Sequence, residues 1–194
     1  MSPVVPPRFD VLELSLDDRC NLRCVGCFAC EGRGAALTTA RAAHWLRWGR
    51  SRGATSLWLG GGEPLLRSDV IGLSRAARAL GYAEIIVQTN GVRLAYPGVL
   101  RALVAAGVTR LRLNLKSHDP AVHDRLTSVD GSHALLDEAL SNLAGSSLVV
   151  HGDVLLTTET VAGLSDTIAR YAARGVRGFS LWLLSAADSR DPEV

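Results

Sequence analysis

Short apolar segments alternate with helical segments along the whole 194-residue chain, and this alternation constrains the fold more than any other feature. The apolar runs predict six strands, at residues 11–16, 56–59, 84–88, 110–115, 148–156 and 178–184. Helical spacing predicts helices at residues 38–52, 68–81, 97–106, 132–144 and 161–174. Strand–helix–strand units imply parallel strands joined by right-handed crossovers. The predicted fold class is α/β, as a partial (β/α)6 barrel or an open doubly wound sheet.

The residues that could take part in binding or catalysis all follow predicted strands. Four cysteines come after the first strand, a glycine-rich run at residues 60–64 after the second, and Thr-Asn-Gly at residues 89–91 after the third. Asn114 and Lys116 close the fourth strand. Both candidate folds place their chemistry at the carboxyl ends of the strands. We therefore expect these residues to lie along one edge of the sheet.

Composition excludes several classes of protein. Hydrophobic residues make up 47% and charged residues 21%, which indicates a globular chain and not a disordered one. The 21 Lys and Arg nearly balance the 19 Asp and Glu, and no basic block stands out, so no nucleic-acid partner is expected. The apolar runs are far shorter than the ~20 residues of a membrane span. The amino terminus lacks the pattern of a signal peptide.

The sequence predicts one domain. Residues 1–10 are expected to form an extended arm, and residues 11–194 a single core domain. The chain stops about where a helix after the sixth strand should begin. We therefore expect a missing carboxyl-terminal part or a partner subunit to close the barrel. Residues 119–125 are interpreted as a turn and helix cap with surface ion pairs.

Cys20, Cys24 and Cys27 form a C-x3-C-x2-C pattern, with Cys30 three residues further on. Thiols this close cannot staple distant segments as disulfides do. Three converging thiolates suit a cubic iron–sulfur cluster and leave its fourth iron without a protein ligand. A zinc knuckle using overlapping pairs is the alternative, and free thiols are a third. Cys30 is interpreted as a small buried residue, with a redox thiol and a partial cluster ligand as the alternatives.

The cysteine triplet, the Gly61-Gly62-Glu63-Pro64 run after the second strand and the six-unit pattern together resemble the radical S-adenosylmethionine (SAM) superfamily. The resemblance covers about residues 11–184. It implies a [4Fe-4S] cluster, bound by the three cysteines, whose free iron chelates the amino and carboxylate groups of SAM. It also implies that Gly61 and Gly62 admit the methionyl part, with Glu63 facing its ammonium group. Reductive cleavage of SAM would then give a 5′-deoxyadenosyl radical that abstracts hydrogen from a substrate.

The resemblance assigns further cofactor-binding positions. Asn114, at the end of the fourth strand, takes the position that binds the ribose. The alternative is that Asn114 only faces solvent at a strand end. Lys116, the sole lysine, is placed at the SAM carboxylate or is a surface charge. Leu183 takes an adenine-packing position. The family commonly has an aromatic residue before the third cysteine, whereas this chain has Gly26 there and Phe28 after it, so these two are expected to serve the adenine instead.

The sequence resembles two subfamilies, and they imply different reactions. Residues 89–91 and 123–132 resemble peptide-modifying maturases and molybdenum-cofactor cyclases, which predicts peptide or cofactor maturation. Leu115-Lys116 and the glycine before the third cysteine resemble glycyl-radical-enzyme activases. A non-catalytic SAM- or cluster-binding scaffold is the alternative of another class. Expected partners are a peptide, protein or small-molecule substrate and an electron donor such as flavodoxin or ferredoxin. Oxygen-sensitive cluster chemistry and reduced thiolates predict the cytoplasm.

Overall fold

A computed structural model describes residues 8–27 and 36–183 of the chain. Six strands form one sheet in the order β1-β2-β3-β4-β5-β6, with every neighbouring pair parallel. The strands are β1 Val11–Ser15, β2 Ser56–Gly60, β3 Glu84–Thr89, β4 Arg110–Leu115, β5 Val149–Leu156 and β6 Gly178–Leu183. The sheet curves into a half-barrel, which confirms the predicted α/β partial barrel over the open doubly wound alternative.

Helices connect the strands and cover one face of the sheet. The α-helices are α1 Thr39–Ser51, α2 Val70–Ala79, α3 Pro97–Ala105, α4 Pro120–Thr127, α5 Ser132–Leu143 and α6 Leu164–Ala173. Two short 3-10 helices, Pro64–Leu66 and Val92–Ala95, follow β2 and β3. Among the described residues, no helix has the length and apolar character needed to cross a bilayer.

Period-two alternation along the strands separates an apolar face from a polar one. Leu57 and Leu59 on β2, and Leu111 and Leu113 on β4, are completely buried in the core under the helices. Burial of each such leucine contributes roughly 2 kcal/mol relative to an exposed side chain. The intervening residues, such as Arg112, point to the concave face of the half-barrel. The concave face is thus polar, unlike the packed interior of a closed barrel.

The expected helix starts and strand ends agree with the structure to within a few residues. Thr38 caps α1, where its hydroxyl accepts a hydrogen bond from Arg41 N. The predicted turn after β4 contains a separate helix, α4, which the sequence analysis did not distinguish. Residues 1–7 of the expected amino-terminal arm lie outside the described residues, and the division into an arm and a single domain stays a prediction.

Candidate active site

The cysteine loop leaves β1 at the carboxyl-terminal edge of the sheet. Cys20, Cys24 and Cys27 are all free thiols and partly buried. Cys27 N donates to Cys24 O at 3.2 Å, so Cys24 and Cys27 lie on either side of a tight turn. Gly26 occupies the turn with φ +69°, a backbone conformation that favours glycine. Glycine is therefore suited to this position, immediately before the third cysteine of the triplet.

The carboxyl end of α4 anchors the loop. Arg23 N donates to Thr127 O at 3.0 Å, and Val25 N donates to Leu126 O at 2.9 Å. These two hydrogen bonds flank Cys24. Their acceptors are carbonyl groups in the last turn of α4, which have no hydrogen-bond partner within the helix. The loop is therefore held by a helix more than a hundred residues later in the sequence.

The thiols of Cys20 and Cys24 have different surroundings. Cys20 Sγ accepts hydrogen bonds from Leu22 N at 3.4 Å and from Asn90 Nδ2 at 3.7 Å. Burial raises the pKa of Cys20, and both hydrogen bonds oppose this shift. Burial likewise raises the pKa of Cys24, where the Lys116 ammonium is the main opposing influence. Lys116 therefore lies close enough to the cysteine loop to act on it electrostatically.

Within residues 8–27 and 36–183, no three His, Cys, Asp or Glu side chains form a ready-made site for a single metal ion. Three thiols on one loop still fit a cubic cluster, because its corner irons hold their ligands further apart than one tetrahedral ion does. The donors at Cys20 Sγ and the nearby Lys116 cation suit the negative charge of such a cluster. The donor set therefore fits the predicted cluster.

The glycine run after β2 packs against the segment that leads to Cys20. Gly62 N donates to Asp17 O at 2.6 Å, and Glu63 N donates to Arg19 O at 2.8 Å. A Cβ at Gly61, where φ is +115°, would collide with Asp17 O, and one at Gly62 would collide with Arg19 O. Close approach of two backbone segments is thus a structural reason for both glycines. The predicted contact of Gly61 and Gly62 with SAM stays a prediction.

Glu63 is 1% exposed and makes three hydrogen bonds. Its Oε1 accepts from Leu65 N at 2.9 Å and from Thr89 Oγ1 at 2.7 Å, and its Oε2 accepts from Asn90 N at 2.8 Å. Burial raises the pKa of Glu63, and the three hydrogen bonds oppose the shift. Pro64 is buried and begins the 3-10 helix that presents Leu65 N to the carboxylate. The carboxylate therefore joins the ends of β2 and β3.

Lys116 and Asn114 lie at the carboxyl end of β4, as expected. Lys116 is 4% exposed, which excludes the surface-charge alternative. In the part of the chain that the structure describes, its ammonium has neither an ion pair nor a hydrogen bond, although it acts on Cys24. Asn114 is half-buried and shares the concave face of β4 with Arg112. A buried cation without a partner is costly, so Lys116 is suited to an anionic ligand.

One predicted position lies apart from this group, and two residues of the cysteine segment fall outside the described part of the chain. Leu183 ends β6 and is 80% exposed, on the strand face opposite that of Ser180. Its adenine-packing role stays a prediction that the described contacts do not support. Phe28 and Cys30 lie outside the described residues, and their assignments stay predictions.

A polar network on the concave face was missed by the sequence analysis. The guanidinium of Arg112 pairs with both carboxylate oxygens of Asp153 and donates to Ser180 Oγ at 3.0 Å. It also lies 4.5 Å from the ring centre of Trp58. His151 Nε2 lies 3.0 Å from the same Ser180 Oγ. Polar residues alternating with leucines in RLRLNL were the signal that could have predicted this network.

The fold and the edge site together define an enzyme core that carries its cofactors at the carboxyl ends of a half-barrel. The chain belongs to the radical SAM superfamily, whose family model matches residues 14–170. Members of this superfamily use a [4Fe-4S] cluster and SAM, so the match confirms the predicted family, enzyme class and cofactors.

Curated relatives include GTP 3′,8-cyclases. The protein from Erythrobacter litoralis (strain HTCC2594) is 33% identical over 181 residues, which cover 90% of this chain and 49% of the relative. The protein from Pseudomonas savastanoi pv. phaseolicola is 35% identical over 166 residues, covering 77% and 49%. The chain therefore spans about half the length of the curated relatives it matches.

The fold is also similar to that of Streptococcus suis SuiB. The TM-score is 0.74 at 18% identity, with 92% of this chain and 40% of SuiB covered. SuiB has also been solved with its precursor peptide SuiA (TM-score 0.70, 18% identity, 93% and 40% covered). A third SuiB structure contains S-adenosylmethionine (TM-score 0.69, 20% identity, 91% and 41% covered). At this identity the likeness supports the fold alone.

Proposed function

We propose that this chain binds a [4Fe-4S] cluster through Cys20, Cys24 and Cys27 and cleaves SAM reductively. The observation that carries the proposal is the meeting of three free thiols with the buried, unpaired Lys116 at one edge of the half-barrel. When bound, the reduced cluster would supply one electron to the sulfonium of SAM, whose carbon–sulfur bond would break to give methionine and a 5′-deoxyadenosyl radical able to abstract hydrogen from a substrate. The protein positions these cofactors and excludes water.

The residues around the loop have proposed binding roles. Lys116 offers a buried ammonium to the carboxylate of SAM, and Asn114 offers an amide to the ribose. Glu63 and the Gly61–Gly62 turn form the wall that faces the amino group, with Pro64 completing it. Gly26 and Phe28 are proposed to contact the adenine, and Leu183 retains the weaker assignment of packing against it.

The substrate is proposed to meet the concave face. Arg112 is paired with Asp153 and Arg110 with Glu84, so both arginines of this face already have carboxylate partners. A polyanion such as GTP would compete with those carboxylates. This charge pairing favours maturation of a peptide, which need not be a polyanion, over cyclisation of a nucleoside triphosphate. Structural likeness to a protein that binds a precursor peptide is consistent with this choice.

An electron donor such as flavodoxin or ferredoxin, in the cytoplasm where thiols stay reduced, is the proposed source of the electron. A carboxyl-terminal part or partner subunit that closes the barrel remains part of the proposal. The Leu115-Lys116 pair and Gly26 keep activation of a glycyl-radical enzyme as the alternative reaction.

The test is 5′-deoxyadenosine production by anaerobically reconstituted, dithionite-reduced protein given SAM. We expect product from the wild type, and at least a hundredfold less from Cys20→Ala, Cys24→Ala and Cys27→Ala, because each variant lacks a cluster ligand. Cys30→Ala is the matched control and is expected to retain its iron and its activity. Added GTP is expected to leave the yield unchanged.

Three results would contradict the proposal. Full iron content in Cys24→Ala would remove this thiol from the ligand set. A complete cluster without any SAM cleavage would favour the scaffold. One zinc per chain in protein purified without reconstitution would return the cysteines to a structural knuckle.

A further inference from the structure

Asn90 contacts the cysteine loop from the end of β3. Its Nδ2 donates to Cys20 Sγ at 3.7 Å and to Asn21 Oδ1 at 2.8 Å. Its Oδ1 accepts from Val92 N at 3.0 Å. Because a backbone N–H can only donate, the bond from Val92 fixes which end of the amide is the oxygen. The amide nitrogen must therefore face Cys20.

The backbone of Asn90 is held by the most buried carboxylate of the site. Glu63 Oε2 accepts from Asn90 N at 2.8 Å, while Glu63 Oε1 accepts from Thr89 Oγ1 at 2.7 Å. Thr89 Oγ1 in turn accepts from Gly91 N at 3.1 Å. Glu63 and Thr89 are 1% and 2% exposed, so the hydrogen bonds that Glu63 accepts from Asn90 N and Thr89 Oγ1 are shielded from bulk water. Asn90 thus lies on a rigid support that extends to the glycine run after β2.

Cys20 receives hydrogen-bond donors from two separate parts of the chain. The described contacts give its sulfur two N–H donors, from Leu22 N and Asn90 Nδ2. The Leu22 donor belongs to the cysteine loop itself, whereas Asn90 is 70 residues away in sequence. Asn90 therefore adds a donor whose position depends on the sheet and not on the loop.

We propose that Asn90 is a positioning residue that orients the Cys20 sulfur and raises the reduction potential of the cluster through an N–H···S hydrogen bond. This inference rests on the proposed function, since it requires the cluster. Reduction adds negative charge to a cluster and its thiolates. A hydrogen bond to a ligand sulfur stabilises that charge, and hydrogen bonds to sulfur are one of the means by which proteins set cluster potentials. Glu63 acts through Asn90, whose backbone it fixes.

The test is an anaerobic redox titration of the reconstituted cluster, followed by electron paramagnetic resonance. Asn90→Ser and Asn90→Asp both keep an oxygen that can accept from Val92 N, so the turn is retained. Aspartate has no donor, and the serine side chain is one atom shorter than the amide that lies 3.7 Å from Cys20 Sγ, so its hydroxyl falls short of the sulfur. We expect the midpoint potential of Asn90→Ser to shift to more negative values, and that of Asn90→Asp to shift further because it also adds a negative charge.

Asn142→Ser is the matched control. Asn142 lies on α5, and its Nδ2 donates to Leu94 O and Ala95 O, both at 3.0 Å. The control therefore removes two amide hydrogen bonds of ordinary length away from the cysteine loop. We expect its potential to equal that of the wild type, although its melting temperature falls.

The outcomes separate this inference from the proposed function. An unchanged potential in Asn90→Ser overturns the role of Asn90 while leaving the cluster in place. A shift in Asn90→Asp alone also overturns it, because the effect would then come from charge and not from the hydrogen bond. Folded Asn90→Ser that loses iron while Asn142→Ser retains it supports positioning of Cys20. A wild type that binds no cluster overturns both proposals.

Discussion

At the scale of single residues, His123 shows how burial changes a titratable side chain. It lies on α4, is 2% exposed, and packs edge-to-face against His133 with ring centres 5.4 Å apart. Its Nδ1 has no hydrogen-bond partner in the part of the chain that the structure describes. Burial lowers the pKa of His123 to about 4, and the neighbouring His133 adds to the shift. The imidazole is therefore neutral at pH 7.

The buried imidazole predicts a loss of stability in mild acid. The unfolded chain binds a proton near pH 6.5 that the folded chain excludes until about pH 4, so the free energy of unfolding falls as the pH drops through this window. The loss attributable to His123 reaches about 3 kcal/mol. Urea denaturation of the protein at pH 7 and pH 4.5 measures it.

His123→Leu is expected to remove this part of the pH dependence, because leucine has no proton to bind. His44→Leu is the control, since His44 is exposed on α1. An equal loss of stability between pH 7 and pH 4.5 in His123→Leu and the wild type would contradict the assignment to His123.

Glu63 illustrates what the sequence could say of a single site residue. Its place after a glycine run predicted a carboxylate near the cofactors, and the structure places it beside the cysteine loop. Its three donors come from Leu65, Thr89 and Asn90. The last two belong to a different strand, so no spacing within the glycine motif could indicate them. The sequence placed Thr89 and Asn90 at the same edge of the sheet and within a subfamily resemblance, but it assigned neither residue a contact.

At the scale of elements, the junction between α4 and α5 supports the cysteine loop. Asp124 Oδ2 accepts from Gly131 N at 2.7 Å, and its Oδ1 accepts from His133 N at 2.7 Å and from Ser132 Oγ at 2.9 Å. Burial raises the pKa of Asp124, but these hydrogen bonds outweigh it and hold the pKa below the usual value. The carboxylate thus satisfies the amino end of α5 while belonging to α4.

Asp124→Ala is expected to lower the free energy of unfolding by about 2 kcal/mol, because three donors lose their acceptor. Since α4 also holds the cysteine loop through its last carbonyls, the variant should retain less iron after reconstitution. Denaturant unfolding and iron analysis measure the two effects. Asp130→Ala, an exposed neighbour in the same turn, is the control and should change stability by less than about 0.5 kcal/mol. Equal stabilities of the two variants would exclude this role for Asp124.

Element boundaries were predictable where local rules operate. Asp119 caps α4 as expected, with its Oδ1 accepting from Ala121 N at 2.8 Å, and Arg125 makes the expected surface ion pair, with Glu159. Among the residues that the structure describes, Asp124 makes no ion pair, because its carboxylate accepts hydrogen bonds from the amino end of α5. The sequence could not indicate how α5 is oriented relative to α4, because that orientation depends on packing and not on local sequence.

At the scale of the whole molecule, the Arg112–Asp153 pair joins the last three strands. Their side chains are 15% and 6% exposed, and Ser180 connects the pair to β6. Trp182 Nε1 on β6 also donates to Asp153 Oδ1 at 3.4 Å. The pair therefore ties an edge strand of the half-barrel to its interior, where solvent screening is weak.

Asp153→Ala is expected to destabilise the fold by about 3 kcal/mol, because it leaves a nearly buried guanidinium without its carboxylate. Hydrogen exchange at the amides of β6 should quicken before that of β3. Glu84→Ala breaks the comparable Arg110 pair, whose side chains are about one-third exposed, and should cost less than about 1 kcal/mol. Similar losses in the two variants would show that the Arg112–Asp153 pair has no special structural role.

The sequence by itself determined the alternation of parallel strands with helices and the edge at which the cysteines, the glycine run and Lys116 gather, whereas the curvature into a half-barrel and the separate helix α4 came from the structure. The alternation and the shared edge follow from local periodicity and from the geometry of strand–helix–strand connections, which act over short stretches of chain. Only the tertiary structure decided that Asn90 donates to Cys20 and that α4 anchors the cysteine loop. It likewise decided that Arg112 pairs with Asp153. Those contacts depend on strand register, helix packing and side-chain rotamers, and they join residues that are between 41 and more than 100 positions apart.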